Sequence, residues 1–382
     1  MPWLETDVMK ERTKFVLAYE SGLYSMSELC ARFGISRETG HTMWARYQAQ
    51  GWAGLEDRSR APQSCPHRTP SEVECALLIA RKAHPTWGPV TLLDYLRRTQ
   101  PGLKLPAAST VGDILTRAGL VQPRKTRRRA RHPGRPYVQM RAPNDVWTAD
   151  FKGQFRMRDR RYCYPLTVAD GYSRYLFACR ARASTDHASA RSVFRQLFVQ
   201  YGLPLQILTD NGCPFASVGL GGLSRLSAWW IRLGIQPIRI EPGRPEQNGR
   251  HERMHRTLKA EATRPAAAHI IAQQRAFERF RRCYNEERPH RALHGRVPAE
   301  LYAASPRPFP QREPGLEYPG HFEVRKVCSN GCIKWHDEFV FISHVLVGEP
   351  LGLEPARDGV WSVHYGPLLL ARFDERDHRV IG

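Results

Sequence analysis

Nowhere in these 382 residues does an apolar run approach the roughly 18 residues that a membrane-spanning helix needs. The opening MPWLETDVMK likewise lacks an apolar core of signal-peptide length. Membrane and secretory classes are set aside, and a cytoplasmic location is expected. The nine cysteines are odd in number and form no C-x-x-C pair, so neither a disulfide framework nor a thiolate zinc motif is indicated. Cys328 and Cys332, which flank SNG, read as part of a turn between strands. Acids are scarce against bases: 37 Asp and Glu face 58 Lys and Arg, and 58 − 37 gives a formal charge of +21. An excess of that size favours a polyanionic partner, with nucleic acid first; an anionic membrane would need an amphipathic anchor that the sequence lacks.

What is present suits a folded, multidomain chain. Hydrophobic residues make up 41% and aromatics 10%, enough to build cores, and the length implies about two to four domains. The stretch YSMSELCARFGISRETGHTMWARYQAQG has helix-turn-helix grammar. Ser25 and Glu28 form a capping box, Gly34 breaks the helix, and Ser36 starts a second helix that turns Met43, Trp44 and Tyr47 inward. That helix would present Arg37, Glu38, His41 and Arg46 outward, with Arg37, His41 and Arg46 as candidate DNA contacts. From Pro70 a second helical unit follows: an apolar segment to about His84, then TWGPVTLLDYLRR, then AASTVGDILTRAGL starting at Ser109 or Thr110 and ending at Gly119. PRKTRRRARHPGRP cannot build a core. Its Arg124, Lys125, Arg127, Arg128, Arg129 and Arg131 suit a phosphate backbone.

Beyond the linker the pattern changes. DVWTADFKGQF, YCYPLTVADGYSRYLFACRA and LQILTDNG read as strands, and DHASARSVFRQLFVQYG as a helix, which together describe a mixed sheet with helices packed on it. Asp170 reads as a hairpin-turn residue beside Gly171. Past about residue 320, short strands at regular turns suggest a small all-β barrel or sandwich. Asp150 lies in a predicted strand, Asp210 ends another, and Glu252 follows the breakers Gly243, Pro245 and Gly249 near a helix start. Three acids at one sheet edge repel unless a cation holds them, and divalent metals in phosphodiester chemistry take hard oxygen ligands from separate elements. The three are a metal-site candidate.

WTADFKG, LTVADGYSRY, ILTDNGCPF, GRPEQNGRHERMHRTLK and YNEERPHRALHGRVPAELY, in that order, resemble the integrase-type catalytic core of DDE transposases and retroviral integrases, most closely bacterial insertion-sequence transposases. SMSELCARFGISRETG, HPTWGP, AASTVGDIL, RKVCSNGCIKW and LLLARFDERD extend the likeness over nearly the whole chain. The resemblance implies a ribonuclease-H-like core with a mixed five-stranded sheet. Asp150, Asp210 and Glu252 would be the catalytic acids, holding two Mg²⁺ that Mn²⁺ can replace. Arg256 and Lys259, one and two turns after Glu252, would contact DNA ends. It also implies terminal inverted repeats and target DNA as partners, a homo-oligomer on DNA, and a location at the bacterial nucleoid. One spacing departs from the family: 252 − 210 = 42, so 41 residues intervene where about 35 are common. ASVGLGGLSRL is the expected place for the excess.

The expected domains are therefore a helix-turn-helix domain over 1–60, a second helical DNA-binding unit over 68–121, a basic linker over 122–142, the α/β core over 143–305 and the β-barrel over 318–382. Two alternatives stand beside this reading. One keeps the fold as a catalytically inactive DNA-binding regulator. In the other, His251, Glu252 and His255 spell the H-E-x-x-H of a zinc peptidase. Arg250, Arg253 and Arg256 oppose bound zinc, and Leu258 and Glu261 stand where a metzincin has Gly and His. On the DNA reading, His251 and His255 are surface or DNA-facing groups, and Glu246 belongs to the loop before the helix.

Overall fold

The computed structural model describes residues 7–59, 68–121, 138–217 and 219–381. The chain divides into two compact units, Met1–Arg68 and Thr69–Gly382. The basic linker side chains Arg124, Lys125, Arg127, Arg128, Arg129 and Arg131 lie outside the described residues.

The first unit holds α1 (Val8–Glu20), α2 (Met26–Phe33) and α3 (Arg37–Gln50). The Ser25–Glu28 capping box forms as expected, Gly34 closes α2 in the left-handed region, and Ser36 caps α3 by accepting from Thr39 N. Phe15, Val16, Leu29, Cys30 and Leu55 make the buried core, with Met43, Trp44 and Tyr47 packed against it. Gly40 sets how closely α2 and α3 approach: a Cβ there would stand 2.5 Å from Cys30 Sγ and 2.9 Å from Met26 Sδ. A larger residue there would have to displace the Cys30 and Met26 side chains from the core.

The second unit begins with α4 (Ser71–Ala83), α5 (Pro89–Thr99) and α6 (Ala108–Arg117). Their shared core includes Leu77, Trp87, Leu92, Leu96, Val111 and Ile114. α6 starts at Ala108, earlier than the Ser109 or Thr110 start expected, with Ala107 preceding it and no side-chain cap. Hydrophobic packing there fixes the start without the hydroxyl. These helices are fastened to the rest of the unit by Arg98–Glu300 at 2.7 Å and by Thr86, which donates to Glu261. Arg288 pairs with Glu261 at 2.5 Å and lies over the Trp87 ring.

A mixed sheet follows, built from β1 (Val146–Phe151), β2 (Phe155–Arg156), β3 (Tyr162–Asp170), β4 (Leu176–Arg182), β5 (Gln206–Thr209) and β6 (Gln236–Arg239). The order is β2-β3-β1-β5-β6, and β4 also pairs β3. β3 runs antiparallel to β1 and β4, whereas β5 runs parallel to β1 and β6 parallel to β5. The two-residue β2 aside, this is the five-stranded mixed sheet expected. One face is covered by α7 (His187–Tyr201) and α8 (Arg225–Arg232), which bury Phe194, Phe198, Trp229 and Trp230 against Trp147 and Ile207. The other is covered by α9 (Gly249–Ala262) and α10 (Ile270–Arg282), through Met254, Leu258, Phe277 and Phe280. The burial of Met254, Leu258 and Ala262 along α9 is the spacing of a helix with one apolar face.

The tail is an antiparallel sheet in the order β13-β12-β11-β10-β7, made of β7 (Glu323–Lys326), β10 (Pro350–Arg357), β11 (Val360–Tyr365), β12 (Leu368–Asp374) and β13 (Arg379–Ile381). A separate hairpin pairs β8 (Cys332–Trp335) with β9 (Glu338–Phe341). Among the described residues, hydrogen bonding leaves β7 and β13 as edges, so of the barrel or sandwich expected the structure shows an antiparallel sheet with a separate hairpin, and no closed barrel. Its core of Trp335, Leu351, Leu353, Val363 and Phe373 takes in Leu223, Ala228 and Ile231 from the Gly-rich loop and α8.

Candidate active site

The strand register brings two of the acids together. Val146, Trp147 and Thr148 on β1 pair with Gln206, Ile207 and Leu208 on the parallel β5. That offset of 60, continued two residues, sets Asp150 opposite Asp210, which directly follows β5. Both carboxylates therefore leave the sheet at one end, where parallel strands commonly present ligand-binding groups. Asp210 folds back so that its Oδ1 accepts from Gly212 N at 3.1 Å. A Cβ on Gly212 would lie 3.1 Å from Oδ2, so the bare glycine leaves room for that turn.

The third acid comes from α9. Pro245–Asn248 forms a 3₁₀ turn that leads into the helix, and Glu252 lies exposed in its first turn, where the helix dipole favours a carboxylate. Glu246 sits in the preceding turn. Burial pushes the Asp150 carboxyl up to about 7, and the charges of Asp210 and then Glu252 push in the same direction. The three acids thus act on one another, although their oxygens do not close into a tight cluster. Among the described residues the His, Cys, Asp and Glu group with ligand atoms all within 4.8 Å of one another is His84, Cys283 and Glu287.

His251 and His255 are turned inward, away from the surface or DNA-facing position expected for them. His251 is 2% exposed, and its Nδ1 lies 2.8 Å from Thr148 Oγ1 while its Nε2 lies 2.7 Å from Thr167 Oγ1. His255 Nε2 meets the same Thr167 hydroxyl at 2.6 Å. Four residues apart, the two imidazoles share the sheet-facing side of α9, while Glu252, about 100° round the helix, faces out. Burial depresses both histidines, His251 well below the usual range and His255 to about 3, where Lys152 adds to the effect. Their ε nitrogens are committed to a threonine, and the zinc-peptidase arrangement does not form.

Sequence reading missed Thr167 and Lys152. Thr167 sits opposite Asp150 in the β1–β3 register and donates to the Asp150 carbonyl at 3.0 Å. Lys152, two residues after Asp150, is held below the usual lysine range by burial, then by Lys259 and Arg264. The alternation of strand side chains does not reveal such partners until the register is known. Arg256 and Lys259 are exposed on α9, one and two turns after Glu252. In the first unit, Arg37 and His41 are exposed on α3; Arg46 is half-buried and donates to the Glu56 carbonyl. Asp170 does end the strand before a turn, yet it is 1% exposed and accepts from Asn144 N, Ser173 N and Ser173 Oγ.

The donor set, all carboxylate oxygen with mutual repulsion at a buried Asp150, fits a hard divalent cation such as Mg²⁺. Comparison with known proteins points to the same region. Residues 140–245 and 233–298 match integrase core domain families, residues 11–63 a helix-turn-helix domain and residues 39–115 a homeodomain-like domain. The chain is similar to an uncharacterized 39.2 kDa protein of insertion element IS476 from Xanthomonas euvesicatoria, 29% identical over 283 residues, which cover 72% of this chain and 77% of that protein. It is 31% identical over 160 residues to the Gag-Pol polyprotein of baboon endogenous virus, covering 42% of this chain and 9% of the polyprotein. The HTLV-2 integrase catalytic core domain, solved in complex with magnesium, aligns with 44% of this chain and 100% of its own at 16% identity and a TM-score of 0.35.

Proposed function

From the premise that this chain carries an integrase core domain together with helix-turn-helix domains, we propose that it is a DDE-type transposase that cuts and joins DNA strands at the ends of an insertion sequence. The observation that supports this reading is that Asp150 on β1, Asp210 at the end of β5 and Glu252 on α9 lie near enough for the last two to add to burial in raising the Asp150 carboxyl. Asp150 would be shared between two Mg²⁺, with Asp210 and Glu252 each completing one; Mn²⁺ would serve in their place. Bound there, the ions supply Lewis acidity that activates water or a 3′-hydroxyl and stabilises the leaving oxygen.

The rest falls to the chain's own groups. Thr167 fixes the backbone beneath Asp150, so the carboxylate is aimed before a cation arrives. Arg256, Lys259 and Lys152 offset phosphate charge beside the acids, which lets a polyanion approach three carboxylates. The helical domains over 1–60 and 68–121 would read the terminal inverted repeats, with Arg37 and His41 on α3 reaching base edges or phosphates. The core over 143–305 would cut and join, and the basic linker over 122–142 would bind phosphates. Holding both ends of an element for paired insertion calls for more than one copy of the chain on DNA. No helix among the described residues is long and apolar enough to cross a membrane, in keeping with work on cytoplasmic, nucleoid DNA.

Purified protein mixed with labelled DNA carrying the flanking repeats, with Mg²⁺ or Mn²⁺, tests the proposal. Cleaved 3′ ends and joined products are expected. Repeat binding with no cleavage in either metal would favour the inactive regulator.

A further inference from the structure

The hydroxyl of Thr167 has three partners: the Asp150 carbonyl at 3.0 Å, His251 Nε2 at 2.7 Å and His255 Nε2 at 2.6 Å. A hydroxyl has one proton to give, and a carbonyl has none. The Thr167 proton therefore goes to Asp150, and both imidazoles must donate their Nε2–H to the same oxygen. In a neutral ring the other nitrogen is then a lone pair. For His251 that lone pair is satisfied: the Thr148 hydroxyl lies 3.3 Å from the Ala169 carbonyl but only 2.8 Å from Nδ1, and it donates across the shorter contact.

Among the described residues, no group donates to His255 Nδ1. It faces Asp150 Oδ2 at 3.6 Å, on side chains 12% and 19% exposed. Once the Asp150 carboxyl is ionised, two acceptors confront each other there, at a separation too long for a hydrogen bond. Two atoms each about 2.1 Å from a common ion stand no more than about 4.2 Å apart, so the pair can share one cation. His255 also lies three residues after Glu252, about 60° round α9 and one turn on.

We infer that His255 Nδ1 is a nitrogen ligand to the divalent cation at Asp150, and that it biases this site toward Mn²⁺ over Mg²⁺. The inference rests on the reading of Asp150, Asp210 and Glu252 as metal-binding acids. Mg²⁺ takes oxygen ligands and dehydrates reluctantly, while Mn²⁺, although the weakest binder of the first-row series, accepts a nitrogen more readily than Mg²⁺ does, so the nitrogen tilts the site toward Mn²⁺. Thr167 is a positioning residue in this scheme, since it pins the ε nitrogen and so presents the δ nitrogen.

Pulsed electron paramagnetic resonance on the Mn²⁺-loaded full chain, without DNA, reads the ligand directly. Nitrogen-14 modulation is expected in the wild-type chain and should change frequency when the protein is made with ¹⁵N-imidazole histidine, a measurement that alters no residue. His255→Ala should abolish the modulation. It should also raise the Mn²⁺ dissociation constant on the order of tenfold while changing that for Mg²⁺ less. Bound Mn²⁺ with no nitrogen coupling, or coupling that persists in His255→Ala, overturns the inference and leaves the carboxylate reading standing. Failure of the wild-type chain to bind Mn²⁺, or binding that survives Asp150→Asn combined with Glu252→Gln unchanged, overturns the carboxylate reading itself.

Discussion

Asp150→Asn separates the cost of the acid cluster from its use. In the folded chain the Asp150 carboxyl is raised from 3.8 to about 7, first by burial and then by Asp210 and Glu252. Between those values the folded state holds a proton that the unfolded state has released, so this group's contribution to stability falls as pH rises from about 4 and is gone above about 7. A shift of about 3 pH units at about 1.4 kcal/mol each sets a ceiling of about 4 kcal/mol on that loss. Asparagine keeps the shape without the charge. Without divalent metal, at pH 8, the variant should therefore be the more stable protein, and near pH 4 its advantage should vanish. Mg²⁺ should restore stability to the wild-type chain and do little for the variant, which should also have lost strand cleavage. Hydrogen exchange of the β1 amides in chelator, from pH 5 to 8, reports this locally in a chain whose global unfolding need not be two-state. Equal β1 protection in the two proteins at pH 8, or a carboxyl resonance for Asp150 titrating near 4, would refute the reasoning.

Glu252→Gln and Asp210→Asn should each lower cleavage and joining by orders of magnitude while DNA binding survives, and combining them should add little. Glu246→Gln, in the turn before α9, should keep substantial activity, and collapse in that variant alone would show that the wrong glutamate is assigned. Asp170→Asn should cost about 2 to 3 kcal/mol, because the amide turns a donor toward hydrogen-bond donors in a buried site, whichever way it flips; an unchanged thermal midpoint would contradict this. Replacing Arg37, Arg256 or Lys259 with Ala should each lessen the log-log salt dependence of DNA binding by about one unit, and a slope that does not move removes that residue from the phosphate contacts.

Much of the architecture was legible because it is written in local chemistry. Ser25 and Glu28 declare a helix start, Gly34 its end, and the breakers before Glu252 announce α9. Asp150 and Asp210 could be placed at strand ends from neighbouring residues alone. What stayed hidden depends on contacts distant in sequence. Thr167 and Lys152 gain meaning only from the β1–β3 register and the approach of α9. The inward turn of His251 and His255 was masked by the charged residues between and around them. Asp170 was readable as a turn residue but not as a buried one, since its partners Asn144 and Ser173 are set by the fold. Strand-like segments past residue 320 foretold the antiparallel tail, but closure into a barrel is a property of hydrogen-bonded edges that no single segment encodes.

Helix α8 has two apolar sides. Leu226, Trp229 and Trp230 face the mixed sheet, whereas Ala228 and Ile231 face the C-terminal sheet, where Tyr365 donates to the Ala228 carbonyl at 3.3 Å. The glycines ahead of it let the chain lie flat on that sheet: a Cβ on Gly221 would stand 3.0 Å from Leu370. The segment between Asp210 and Glu252 thus includes the seat of the tail. Modularity ends there. A fragment stopping near residue 317 would carry Leu223 and Ile231 bare to water and should self-associate, so the tail is unlike a cassette that recombination could exchange. A replacement tail would have to cover Leu223, Ala228 and Ile231 as this one does.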